Sequence, residues 1–286
     1  MTTNDIQRVL VLGASGSVGG ALVRHLATRP EVEVLAASRD EHAALPPGVK
    51  RVLVDLADPR TLEHVLQGVD AVHLIWPFFE SGADTRRRIA PIARLLGERA
   101  RRVVYVSALA AADDPQSFWH VVEDAISDHV AEWTILRPTG FAANARQWAG
   151  QIRDGDVVRW PLGDLARPLI HESDIAAVAA AALTRDGHHG QRYVITGPSL
   201  ITQRDQVSAI GSAIGRPLRW DEISVEQARD ELGVPGSMLD AWDAMRHTPE
   251  PVNDVVERLT GRAPLTFEDW ARAHATDFMT AQREAV

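Results

Sequence analysis

The 286-residue chain contains no cysteine. Disulfides, thiolate nucleophiles and cysteine-ligated metals are therefore excluded, and the absence fits a reducing compartment. Lysine is almost missing too: Lys50 is the only one, although arginine is plentiful. Tyr105 and Tyr193 are the only tyrosines. No apolar run approaches the roughly 20 residues needed to span a bilayer. The start, MTTNDIQRVLVLG, lacks the basic segment and long apolar stretch of a secretory signal. No membrane partner is expected, and the expected location is cytoplasmic. A formal net charge of −9 argues against a nucleic-acid partner, because phosphate binding needs a basic surface. No metal site is expected.

Apolar residues make up 45% of the chain and charged residues 24%, which describes a soluble globular protein with a substantial core. Short aliphatic runs recur at residues 8–13, 33–38, 51–56, 71–76, 102–108 and 133–138. Between them lie VGGALVRHLATR, PRTLEHVLQGV, RRRIAPIARLLGERA and FWHVVEDAISDHV, each apolar at helical spacing. This alternation predicts an α/β fold: a Rossmann-type, doubly wound parallel sheet with helices on both faces. Beyond about residue 140 the rhythm loosens. A helix is expected over 173–185, opening at Ser173 or Asp174. A strand QRYVITG follows, then a helix closed by Gly215 and further helices from residue 222 onward. The expected organisation is a dinucleotide-binding core over residues 1–150. Residues 151–286 complete the sheet and form a small, mostly helical substrate lobe within one integrated domain.

The segment VLVLGASGSVGGALVRHL places Gly13, Gly16 and Gly19 between a buried strand and a helix. In that context the loop's N–H groups and the helix dipole point at an anion. Gly13 permits the tight turn, Gly16 lets the backbone approach a pyrophosphate, and Gly19 allows close helix–strand packing. Ser15 and Ser17 can offer hydroxyls to phosphate, and Val18 completes the loop. About twenty residues later the second strand ends in Ser38-Arg39-Asp40. An acidic residue there suits the ribose hydroxyl of NAD, whereas an arginine pairs with the 2′-phosphate of NADP. Arg39 favours NADP(H) and leaves NAD(H) open; the alternative is that Arg39 is a solvated strand-end charge.

The chain resembles the NmrA-like branch of the atypical short-chain dehydrogenases, which includes quinone oxidoreductases, azoreductase-like enzymes and redox-sensing regulators. The glycine segment, VDLADPRTLEHVLQGVDAVHLIWP, VVYVSALAA, VEDAISDHVAEWTILRPTGFAAN and RPLIHESDIAAVAAAAL carry the resemblance. It continues through GQRYVITGPSLITQRDQVSAIGSAIGRPL and LTGRAPLTFEDWARAHATDF, and so covers nearly the whole chain. By this resemblance Asp55 and Leu56 lie near the adenine, and Leu74, Ile75 and Trp76 flank the ribose and nicotinamide. Ser107 and Ala108 face the nicotinamide, Pro138, Thr139 and Phe141 close over it, and Asn144 stands near the substrate mouth.

Ordinary short-chain dehydrogenases reduce carbonyls with a Tyr-x-x-x-Lys pair, the tyrosine donating the proton. Neither Tyr105 nor Tyr193 has a lysine near it in sequence, so that pair is excluded. In the corresponding segment Glu123 matches the family's glutamate and reads as a structural partner. Trp119 occupies the slot where relatives carry lysine or histidine, and His120 stands beside it. His120 is the one catalytic candidate there, able to hold the ribose or donate a proton; a helix-surface histidine is the alternative. His171 and Asp174 are implied to organise their loop.

Trp76, Phe78, Phe79, Phe118, Trp119, Phe141 and Trp148 fall where a switch-point crevice opens. Together they suggest an apolar pocket for a flat small molecule, although core packing is the alternative for any one of them. The leading expectation is an NADPH-dependent reductase of a quinone-like acceptor. A non-catalytic NADP(H) sensor and a Rossmann-fold cyclase or isomerase are the alternatives. A homodimer is compatible with all three.

Overall fold

The structure is a computed structural model that describes residues 6–38 and 44–279. In chain order its elements begin β1 (Gln7–Leu12), α1 (Ser17–Leu26), β2 (Val32–Ser38), β3 (Lys50–Leu53) and α2 (Pro59–Val65). Next come β4 (Ala71–Ile75), α3 (Gly82–Arg99), β5 (Arg102–Val106), α4 (Phe118–His129) and β6 (Glu132–Pro138). They are followed by α5 (Ala149–Asp154), β7 (Val157–Trp160), β8 (Ala166–Arg167), α6 (Glu172–Thr184), β9 (Gln191–Ile195) and β10 (Ile201–Thr202). The chain ends with α7 (Gln203–Ala213), β11 (Arg219–Glu222), α8 (Val225–Leu232), α9 (Gly236–His247), α10 (Val255–Thr260) and α11 (Phe267–Ala273).

Two compact units are built from interleaved segments. The first comprises Met1–Pro138, Glu172–Ile195 and Val255–Arg262; the second comprises Thr139–His171, Thr196–Asp254 and Ala263–Val286. In the first unit seven parallel strands run in the order β3-β2-β1-β4-β5-β6-β9. The order reverses between β1 and β4, which makes their carboxyl ends the switch point where such sheets bind ligands. Alternate strand residues serve two faces. Leu10, Leu12, Val72, Leu74, Val103, Tyr105 and Ile135 form one core with residues of α2, α3 and α4. On α6 nearly every residue is buried, and the helix contacts α1, β4, β5 and β6. A helix apolar all round has to be buried. It begins at Glu172, so Ser173 and Asp174 lie in its first turn instead of capping it.

The second unit holds a core around Trp148, Trp270, Phe278 and Leu239. Two small sheets stiffen it, β7 parallel to β11 and β8 antiparallel to β10. None of these four strands stood out in the sequence pattern. Among the described residues no helix is long and apolar enough to cross a membrane.

Candidate cofactor and substrate site

The glycine segment turns sharply out of β1. Gly13 adopts φ +74°, a left-handed conformation that side-chain-bearing residues rarely take. Ala14 donates its N–H to the Ala37 carbonyl at 3.1 Å, and Gly16 donates to the Gly13 carbonyl at 3.0 Å. A Cβ on Gly19 would come within 2.2 Å of the Gly13 oxygen, so the first turn of α1 can rest on the loop only without one. Gly16 occupies the cap position of α1 and supplies no side-chain hydrogen bond. Gly16 itself carries no side chain that could compete with a ligand anion for the first-turn N–H groups. Gly13, Ser15, Gly16 and Ser17 are exposed, while Val18 and Gly19 are buried against the sheet. This loop fits a dinucleotide pyrophosphate. Arg39 lies outside the described residues.

Around the other strand ends, Asp55 accepts from the Ala57 N–H and donates its own N–H to Thr61, which fixes the turn after β3. Leu56 lines an open cleft of about 530 Å³ together with Glu80, Ser81, Arg87 and Arg88. Ile75 is the side chain nearest to where a Gly13 Cβ would sit. Leu74 is fully buried in the core, so its backbone alone is available at the strand end. Trp76 is buried and meets Phe78 edge-on at 5.1 Å, and the Arg88 guanidinium lies 4.3 Å over the Phe78 ring.

Phe79, 82% exposed, packs edge-on against Phe118 at 5.3 Å, and Phe118 lies 4.1 Å from Trp119. These three rings form a partly open aromatic ledge beside the start of α4. Trp148, by contrast, is fully buried in the core of the second unit and meets Trp160 and Trp220 edge-on. It is a packing residue, which corrects its place among the pocket aromatics. Also in the second unit, the Thr139 hydroxyl donates to the Pro168 carbonyl at 2.6 Å, Phe141 pairs with Ile170, and Asn144 is exposed. Pro138 ends β6 in the first unit.

His120 is half-buried. Its Nδ1 lies 2.7 Å from the Ala111 carbonyl, which can only accept, so Nδ1 carries the hydrogen. Nε2 faces the Asp124 carboxylate at 3.6 Å. The ring thus ties α4 to the turn over Leu109–Ala112.

The most strongly built polar group belongs to Glu123, only 1% exposed. Its Oε1 accepts from the Ser107 hydroxyl at 2.6 Å and from Arg137 Nε at 2.9 Å. Its Oε2 accepts from Arg137 Nη2 at 2.6 Å and Arg192 Nε at 3.4 Å. Tyr105 is fully buried on the same face of the sheet; its hydroxyl lies beside the Ser107 side chain, but among the described residues it has no partner in good hydrogen-bond geometry. Burial first, then the Glu123 charge, pushes this phenol far above its ordinary range, so it holds its proton. Sequence reasoning missed Arg137 and Arg192. The available signal was an arginine inside the apolar strand WTILRP and a glutamate on the apolar face of α4.

A family model described as NAD(P)H-binding matches residues 13–186. The chain is 34% identical over 282 residues to (4-alkanoyl-5-oxo-2,5-dihydrofuran-3-yl)methyl phosphate reductase of Streptomyces griseus, covering 94% of this chain and 99% of that one. It is 32% identical over 289 residues to an NAD(P)H azoreductase of Xenophilus azovorans, covering 96% and 100%. The crystal structure of an NADPH-dependent quinone oxidoreductase from Escherichia coli, complexed with NADPH, has the same fold. Its TM-score is 0.71 at 20% identity, over 93% of this chain and 99% of that one. The chain belongs to the NAD(P)H-binding family, in its NmrA-like, atypical short-chain dehydrogenase branch.

Proposed function

We propose that this NAD(P)H-binding oxidoreductase prefers NADPH and reduces a flat, conjugated small molecule such as a quinone without a Tyr-Lys pair. The observation that carries the reading is the exposed glycine loop that leads from β1 into α1 at the sheet's switch point, with a glycine at the helix cap. When bound, the nicotinamide supplies a hydride; the protein's share is to bind, orient and exclude water. Gly13, Ser15, Gly16, Ser17, Val18 and Gly19 hold the phosphates, and Arg39 pairs with the 2′-phosphate. Ser107 and Ala108 at the end of β5 border the nicotinamide. Phe78, Phe79 and Trp119 serve the acceptor, whose flat face stacks on aromatic rings.

A quinone needs no strong acid from the protein, because its reduced anion takes protons from water. This suits a chain whose Tyr105 is sealed in the core and whose Tyr193 hydroxyl sits 3.1 Å from His188 Nδ1. His120, already donating to a backbone carbonyl, positions its turn and is not required as the acid. The two relatives above are named for reduction of an azo group and of an oxo-dihydrofuran, which supports a conjugated acceptor.

The cofactor preference is tested with Arg39→Ala. A charge-assisted pair is worth about 1.5–3 kcal/mol. NADPH affinity should therefore drop roughly 10- to 150-fold, with a much smaller change for NADH. Equal losses by calorimetry would remove Arg39 from the 2′-phosphate.

A further inference from the structure

We infer that Glu123 sets the hydrogen-bond polarity of Ser107: it commits the serine's only hydrogen inward and leaves Ser107 an acceptor for the carboxamide N–H of the nicotinamide. The inference rests on the reading above that Ser107 borders the nicotinamide. Its physical content comes from the network itself. A carboxylate that accepts from Arg137 twice, from Arg192 and from Ser107 has its lone-pair directions filled and no hydrogen to give. The serine hydroxyl, which has one hydrogen, must therefore be the donor in the 2.6 Å contact. What remains on Oγ is lone pairs, with the protonated Tyr105 hydroxyl beside them on the core side. Ser107 can then accept from a ligand N–H but cannot donate to a substrate carbonyl.

The arrangement is fixed from three sides. Ser107 follows β5, and its backbone N–H is held by the Leu136 carbonyl at 2.8 Å. Glu123 comes from α4, Arg137 from β6 and Arg192 from β9, so no single loop motion can reorient the hydroxyl. Glu123 is a positioning residue here, acting through Ser107. The two amide hydrogens of the carboxamide are the donors that an acceptor-only oxygen selects, and the Ser107 hydroxyl offers the acceptor substrate no hydrogen. That is tolerable for a molecule whose reduction needs no carbonyl activation.

The test compares binding of NADPH with that of its 3-acetylpyridine analogue, in which a methyl replaces the carboxamide nitrogen. Calorimetry on the full chain reads binding without turnover. One lost hydrogen bond corresponds to a preference of roughly tenfold for NADPH in the wild type. Ser107→Ala should bring the ratio to about one by weakening NADPH alone. Glu123→Gln should narrow it as well, because the amide can donate to Oγ and turn the serine hydrogen outward. An unchanged ratio in Ser107→Ala, with NADPH still bound, would overturn the inference and leave the cofactor reading standing. The same holds if this variant loses only quinone turnover, since Ser107 would then serve the substrate. Failure of the wild type to bind NADPH at all would overturn both. Ser107→Ala removes a single hydroxyl, so the result does not depend on Glu123→Gln folding.

Discussion

Gly16 and Gly19, three residues apart in one loop, should separate binding from stability. At Gly19 an added Cβ would lie 2.2 Å from the Gly13 oxygen, 2.7 Å from its carbon and 3.1 Å from the Ala14 Cα. All three are backbone atoms, so nothing can rotate aside and the loop must move against α1. Alanine gains about 0.5–1 kcal/mol over glycine inside a helix, whereas overpacking of this kind costs about 1–3 kcal/mol. The net loss in Gly19→Ala should be about 1–2 kcal/mol, or a Tm lowered by roughly 3–8 °C in a chain of this size. At Gly16 the backbone is extended, with φ −81° and ψ 170°, and an added Cβ meets only the Gly13 oxygen at 3.3 Å. Valine fits that conformation, so Gly16→Val should melt within a few degrees of the wild type, at about 1 kcal/mol or less. Its side chain would nonetheless fill the space that a pyrophosphate needs. Losing two charge-assisted hydrogen bonds costs about 3–6 kcal/mol, so NADPH affinity should drop at least about 100-fold. Thermal denaturation and calorimetry on both variants check this. Normal NADPH binding by Gly16→Val would show that the phosphates do not lie on this loop, and an unshifted Tm for Gly19→Ala would refute the packing argument.

His120→Ala should change KM more than kcat in steady-state kinetics, because its Nδ1 hydrogen is spent on the Ala111 carbonyl. A loss of turnover of about 100-fold with unchanged NADPH affinity would make it the acid instead. His73 is fully buried on β4, with Nδ1 3.3 Å from the Leu12 carbonyl, and burial lowers its pKa to about 4. Between pH 6.5 and about 4 the unfolded chain binds a proton there that the folded chain does not, so stability falls as pH falls through that window. The full loss should be about 3 kcal/mol, of which about 2.4 kcal/mol falls between pH 7 and pH 4.5, and His73→Gln should reduce the acid sensitivity by that smaller amount in urea titrations at those two pH values.

The sheet was legible because buried parallel strands carry apolar residues on both faces and leave short runs such as RVLVLG and RVVYVSA. Boundaries were less so. The third strand stops at Leu53, because the chain turns at Asp55 to start α2, although Val54 and Leu56 remain buried and apolar. β8 and β10, two residues each, are too short to show any alternation. The glycine loop could be read because its chemistry is local in sequence. The Glu123 network could not, since Ser107, Glu123, Arg137 and Arg192 meet only through the registers of β5, β6 and β9 and the packing of α4. A buried charge looks like an exposed one until its partners are in place.

The most direct measurement is anaerobic mixing of the NADPH-loaded protein with a planar quinone, following the nicotinamide and quinone absorbances together. One quinone reduced per NADPH oxidised is expected, with Gly16→Val inactive at the same cofactor concentration. NADPH that binds but is not consumed by any quinone or azo acceptor would contradict the reductase reading and favour a cofactor sensor.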